Sequence, residues 1–175
     1  MPVSESDSRS SPPRAVPTWS WMLRSPARIV AFGLGSGLLR PASGTWGTLL
    51  AWLLWGLALS RLSDAAVAIV LVLSYAYGCW CCQQVGREMG EPDSSRMVWD
   101  ECVAFWLVLW LSPNSFWAQL AAFALFRFFD ILKPPPIRYF DARLKHGFGV
   151  MFDDILAACY SLLAMAILVR LGVLQ

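Results

Sequence analysis

Arg127-Phe-Phe-Asp130-Ile-Leu-Lys133-Pro-Pro-Pro-Ile-Arg138 closes one of the chain's apolar runs, and its reading decides the fold. If residues 127 to 133 end a helix, Arg127, Asp130 and Lys133 recur at every third position and share a face, so two cations flank one carboxylate. The three prolines then stop the helix, because proline lacks the backbone donor and pushes the preceding residue out of helical geometry. Arg138 is expected beside the cluster, held there by a stiff extended segment. A helix end with a solvated salt bridge would explain this stretch taken alone. Two more acidic pairs, Asp100-Glu101 and Asp153-Asp154, change that reading if they reach the same end of the molecule.

Working outward, five apolar segments read as helices, at about 45 to 60, 64 to 82, 97 to 111, 117 to 133 and 154 to 173. Polar or proline-bearing links separate them, including Gln83 to Arg96 and Pro134 to Asp153. Short links imply antiparallel neighbours, hence an all-α, up-and-down bundle. That topology gathers nearly all the charged residues at one end. Only the second and fifth segments approach the roughly 20 apolar residues that cross a hydrocarbon core. A compact helical domain with a buried central helix, attached by one or two segments, therefore fits as well as a five-span bundle.

Composition agrees with a membrane setting. Of 175 residues, 57% are hydrophobic and 15% charged, with ten tryptophans, a residue type that favours the membrane interface. A net charge of +2 without a basic stripe gives no case for nucleic acid. The cysteines read as small buried hydrophobes of a reducing compartment, and a single histidine excludes a His-rich zinc site. Residues 1 to 23, rich in Ser and Pro, read as a disordered tail ahead of a helical domain over 24 to 175. They lack the pattern of a signal peptide, so a cytoplasmic N-terminus is expected.

The loop Gly33-Leu-Gly35-Ser-Gly37 through Gly44-Thr45 has the glycine density of a phosphate-cradling backbone, and Thr45 offers a helix cap and a hydroxyl. A plain flexible turn has the same composition. It is neither a P-loop nor a dinucleotide fingerprint. Cys81-x5-Arg87 matches the spacing of a cysteine phosphatase loop, but it continues an apolar helix.

Acidic residues at a helix start are favoured by the macrodipole and by capping, which excuses one member of each pair. Two adjacent carboxylates at an apolar boundary repel and resist ionisation unless a cation sits between them. Asp100, Glu101, Asp130, Asp153 and Asp154, without histidine or thiolate, suit a hard oxygen-loving ion, with Mg²⁺ the first choice. Flanked by Arg127, Lys133 and Arg138, such an ion makes a phosphate site, and lipid-facing helices around it make the substrate a phospholipid headgroup. The rival class is a non-catalytic membrane scaffold or transporter whose carboxylates relay protons or cations. A phosphatase of a soluble phosphomonoester is a third reading.

Five blocks in order resemble the phosphatidylglycerophosphatase A family: Gly33-Leu-Gly-Ser-Gly-Leu-Leu, Pro41-Ala-Ser-Gly-Thr-Trp-Gly-Thr, Val98-Trp-Asp-Glu, Phe126-Arg-Phe-Phe-Asp-Ile-Leu-Lys-Pro-Pro-Pro-Ile-Arg, and Gly147-Phe-Gly-Val-Met-Phe-Asp-Asp-Ile-Leu-Ala. The resemblance implies about six helices around a central one. It also implies a Mg²⁺-dependent phosphomonoesterase of the bacterial inner membrane that converts phosphatidylglycerophosphate to phosphatidylglycerol. By position, Asp100, Glu101, Asp130, Asp153 and Asp154 look like the family's acidic residues, and Arg127, Lys133 and Arg138 like its basic ones. On this reading Asp100, Glu101, Asp130 and Asp154 are catalytic, the five carboxylates hold the metal, and Gly44 and Thr45 join the cations on the phosphate. The active site is expected on the cytoplasmic side.

Overall fold

The computed structural model describes residues 16–174, and over those the chain is all-helical. Its elements are α1 (Trp19–Met22), α2 (Pro26–Ala31), a 3₁₀ turn (Gly33–Leu38), α3 (Ser43–Leu57), α4 (Asp64–Met89), α5 (Trp99–Leu111), α6 (Phe116–Leu132), α7 (Ile137–Arg143) and α8 (Gly147–Arg170), with a short 3₁₀ turn at Leu59–Arg61.

The central helix is α5. Cys102, Val103, Ala104, Phe105, Trp106, Val108 and Leu109 are all buried, and the helix packs against α2, α3, α4, α6 and α8. Phe105 anchors it, its ring meeting Trp52, Phe123 and Phe126 within 6.5 Å. Small residues on α3 let α5 come close. A Cβ on Gly47 would stand 2.7 Å from Val98 Cβ, the Cys102 thiol donates to Gly47 O, and the Trp106 indole donates to Ala51 O. Gly44, one turn earlier on the same face, is thereby brought against the start of α5.

Helix ends are fixed by identifiable caps. Ser63 and Ser115 accept from the backbone N–H groups of Ala66 and Ala118. Gly90, at φ 66°, ends α4 with Glu91 N–H on Gly86 O, the glycine-terminated C-cap expected where a left-handed residue is needed.

Several expected boundaries move. The first α4 turns are where they were placed, but the helix continues through Gln83 to Met89, because Gln83 and Glu88 bond outward, to Gly147 N–H and to Arg28. The link after α6 contains α7. The prolines form a tight turn rather than an extended spacer, with Ile137 N–H on Pro134 O. The fifth helix starts at Gly147, seven residues early, and His146 Nδ1 caps it by accepting from Gly149 N–H. Gly147 is required there, since its Cβ would lie 2.0 Å from Cys79 O on α4. Of the tail expected to be disordered, residues 1–15 lie outside the described residues. Within 16–23 the chain forms α1, because Met22 is buried and Trp21 meets Phe32 and lies under Arg28 at 4.0 Å. Cys159 is exposed on α8 rather than buried.

Among the described residues two helices are long and apolar enough to cross a membrane, α4 with 26 residues and α8 with 24. At 1.5 Å per residue they reach about 39 and 36 Å, beyond a hydrocarbon core of about 30 Å. Both present uncovered apolar faces, such as Ile69, Val72 and Leu73 on α4 and Leu163 and Ile167 on α8. Side chains of this kind each lose about 1.5–3 kcal/mol when left in water, so faces like these suit lipid.

Candidate active site

The first turn of α5, the last turns of α6, the second turn of α8 and the start of α3 meet at one end of the bundle. Asp100 and Glu101 open α5 as the sequence suggests, and Asp100 Oδ1 accepts from Glu101 N–H at 3.0 Å. Asp153 and Asp154 do not open α8. They sit two turns inside it, so neither capping nor the macrodipole explains two carboxylates that are 4% and 3% exposed. Asp130 completes the set near the end of α6, 8% exposed.

Two cations bridge these carboxylates. Arg127 Nη1 donates to Asp130 Oδ2 at 2.7 Å, the i,i+3 pair that the spacing predicts, and also lies 3.1 Å from Glu101 Oε1 on α5. Lys133 departs from that face. It ends α6 in the left-handed region at φ 42°, and the turn carries its ammonium to Asp153 on α8 and to Asp141 on α7 at 2.9 Å. Asp141 was not read from the sequence as a site residue. Its only signal was a carboxylate between Arg138 and Lys145, which also contacts it at 3.5 Å.

Negative charge exceeds positive here. Five carboxylates face Arg127 and Lys133, and four polar atoms are buried without a partner: Glu101 Oε2, Asp153 Oδ1, Asp154 Oδ2 and Arg127 Nε. Burial, with the neighbouring Glu101 charge added, pushes the Asp100 carboxyl well above its usual range. Burial also pushes Glu101 up to about 7, although Arg127 opposes the shift. Burial alone would lower the Lys133 ammonium, but Asp153 and Asp141 outweigh it and hold the charge in place.

Gly44 touches this centre directly. It is buried in the first turn of α3, and a Cβ there would stand 2.0 Å from Glu101 Oε1. Thr45 lies beside it without capping the helix. α3 begins at Ser43 after Ala42 in the left-handed region, and Thr45 N–H bonds to Ala42 O. The rest of the glycine loop faces protein rather than the carboxylates. Cβ atoms on Gly33, Gly35 and Gly37 would meet Val98, Trp19 and Arg96 O within 2.7 Å, so those glycines serve close packing. Arg138 is exposed on α7, and among the described residues its side chain has no bonded partner. Cys81 is fully buried inside α4, which leaves no oxyanion loop around it.

Among the described residues, no three carboxylates, thiols or imidazoles already stand at the spacing of a closed metal shell. The oxygens nevertheless have the chemistry of one: hard donors, buried, in excess of their cations, three of them with no partner. Glu101, Asp153 and Asp154 carry the unpartnered oxygens that would hold a dication.

Comparison with known proteins gives the family. Residues 29–169 match the family described as Phosphatidylglycerophosphatase A. The chain is 48% identical to a Haemophilus influenzae protein named phosphatidylglycerophosphatase A, over 82% of this chain and 88% of that one. It is 37% identical to the Escherichia coli K12 protein of the same name, over 79% and 81%. It is also 39% identical, over 79% and 91%, to a Bacteroides thetaiotaomicron protein named putative phosphatidylinositol-3-phosphatase. No solved structure matches. With the match spanning α2 to α8 and two relatives above 35% identity over four-fifths of their length, the chain belongs to the phosphatidylglycerophosphatase A family.

Proposed function

We propose that the chain is a Mg²⁺-dependent lipid phosphomonoesterase that hydrolyses phosphatidylglycerophosphate to phosphatidylglycerol and phosphate. The observation that carries this reading is the set of buried carboxylates with unpartnered oxygens against Arg127 and Lys133. The names of the relatives supply the substrate.

Asp100, Glu101, Asp130, Asp153 and Asp154 would hold the ion. When bound, it supplies positive charge for the phosphoryl oxygens and lowers the cost of deprotonating the attacking water. Arg127 and Lys133 then turn from their carboxylate partners to the terminal phosphate, and Arg138 meets it at the rim. Gly44 leaves room for the phosphate beside Glu101, because only a glycine lets the α3 backbone approach so closely. A carboxylate of the set accepts the proton of the water as its oxygen attacks phosphorus, the P–O bond to the lipid glycerol breaks, and the proton passes to the departing oxygen, which leaves as the glycerol hydroxyl. The uncovered faces of α4 and α8 support a bilayer setting. The basic bias of the charged end supports the cytoplasmic side of a bacterial inner membrane.

The test is phosphate release by purified protein in detergent micelles, with Mg²⁺ and with chelator. Phosphatidylglycerophosphate should be turned over at least tenfold faster than glycerol phosphate, and only with the metal. The Bacteroides relative favours a second reading, a phosphoinositide 3-phosphate as substrate, which a parallel assay on that lipid decides. No release from a folded sample with Mg²⁺ would make the scaffold or transporter reading the better one.

A further inference from the structure

Two cavities share no lining residue with the acidic centre, and adjacent stretches of chain line both. The first, about 370 Å³, is polar, and Arg40, Arg96, Ser94, Ser95 and Glu91 line it together with Val16, Pro17 and Met89. The second, about 380 Å³, is apolar, and Trp19, Leu34, Leu39, Trp46, Leu49 and Leu53 form most of its wall. The same two segments run along both. Val16 and Pro17 wall the first and Trp19 the second, while Arg40 walls the first and Leu39 the second.

The walls are built rather than loose. Ser43 Oγ donates to Ser95 O, the Trp46 indole donates to Pro41 O at 3.1 Å, and the Gly37 backbone sits against Arg96 O. Among the described residues neither the Arg40 nor the Arg96 guanidinium has an ion-pair or hydrogen-bond partner, and Glu91 is not bonded to either. Two cations and one carboxylate leave one net positive charge, the complement of a phosphodiester and not of a dianionic phosphomonoester. The apolar cavity has a strained residue on its wall. Leu34, at φ 54° between the closely packed Gly33 and Gly35, pays the left-handed penalty of about 1–2 kcal/mol while its side chain stays 52% exposed. Trp19 and Trp46 are likewise half exposed at its mouth, as tryptophans at a membrane interface are.

We infer that the two cavities hold one resident anionic phospholipid, its phosphodiester between Arg40 and Arg96 and an acyl chain along Leu34, Leu39, Leu49 and Leu53. This site shares no residue with the acidic centre and does not depend on the reaction proposed for it. Through Ser43 its rim ties to the start of α3, so the lipid steadies the turn that sets Gly44 against Glu101.

The experiment is equilibrium binding of labelled phosphatidylserine, a lipid that is neither substrate nor product, to the full chain in detergent micelles. Phosphatidylcholine and glycerol phosphate serve as comparison probes. The parent should retain about one phosphatidylserine per chain, and Arg40→Ala/Arg96→Ala should weaken it at least tenfold. Lys133→Gln should leave it unchanged. Arg40 is exposed and Arg96 partly so, and among the described residues neither has a partner, so the double variant should fold, which circular dichroism checks, and Leu34→Ser should weaken the lipid severalfold without touching a charge. Equal binding by the double variant, equal binding of phosphatidylcholine, or a loss with Lys133→Gln would each overturn the inference. Glycerol phosphate bound as tightly as the lipid would overturn its acyl-chain half. None of these readings needs catalysis, so failure of the phosphatase assay leaves them intact.

Discussion

Gly44→Ala is the most informative substitution because it adds one carbon at a known place. The new Cβ would lie 2.0 Å from Glu101 Oε1 and 2.7 Å from its Cδ and Oε2, against ordinary contacts of 3.4 Å and more. The carboxylate must therefore shift by roughly 1.4 Å, which disturbs its 3.1 Å contact with Arg127. A displacement of about 1 Å in a positioned group costs on the order of 100-fold in rate, or about 2.7 kcal/mol of barrier. Stability should change less. Crowding costs about 1–3 kcal/mol, and alanine regains up to about 1 kcal/mol of helix propensity, so the melting temperature should fall by only a few degrees. The assay is phosphate release at saturating lipid and Mg²⁺, beside a thermal melt in the same detergent. Glu101→Asp shortens the acid by one methylene and makes room, so Gly44→Ala/Glu101→Asp should be more active than Gly44→Ala alone. A folded Gly44→Ala within threefold of the parent would refute the placement of Glu101 at the reacting phosphate.

Asp130→Asn and Asp154→Asn should each lower turnover a hundredfold or more with little change in lipid KM, measured by steady-state phosphate release; activity within a fewfold would remove that residue from the proposed metal set. Arg138→Ala should raise KM severalfold and leave kcat within about twofold, as befits an exposed cation proposed to sit at the rim, and a hundredfold loss of kcat would place it inside the site. In chelator, stability should fall as pH rises. Glu101 holds its proton up to about 7 when folded but only to 4.5 otherwise, so its contribution is complete below 4.5 and lost through 7, about 3 kcal/mol in all. Melts between pH 5 and 8 should show that slope with chelator and lose it with Mg²⁺, whereas a rising slope in chelator would contradict the burial of Glu101. Phe105→Ala should cost about 3–5 kcal/mol in a denaturant titration, since three aromatic rings lose their shared neighbour, and a cost under 1 kcal/mol would remove α5 from the centre of the core.

Much of this arrangement was legible in the sequence. Apolar runs gave the five long helices, and Asp100, Glu101, Arg127 and Asp130 were placed correctly because each sits within a regular turn whose period is readable. What escaped lay at irregular backbone. Lys133 was assigned to the face of Asp130, but one left-handed residue swings it to Asp153 and Asp141, and nothing in Lys-Pro-Pro-Pro announces that conformation. The start of α8 does not show in the sequence because Gly147 and Gly149 read as loop, when Gly147 lets α8 cross α4 and Gly149 lets the chain at Leu144 fold back against α8. The glycines of the 33 to 37 turn likewise looked like a phosphate cradle. Composition records that a backbone comes close to something, not whether that something is a ligand or another helix.

The ion pairs of Arg127 and Lys133 bear on a problem of numbers. In a bilayer, singly charged diester headgroups vastly outnumber any phosphomonoester, and an open cationic site would be saturated by the wrong lipid. Here each cation already has internal anions at contact distance, so an incoming headgroup must compete with them. A monoanion offers too little to displace a carboxylate, whereas a terminal phosphate brings a second charge and a third free oxygen. On the proposed function, the resting salt bridges would act as a threshold, closed to the bulk lipid and to the diester product and open to the monoester.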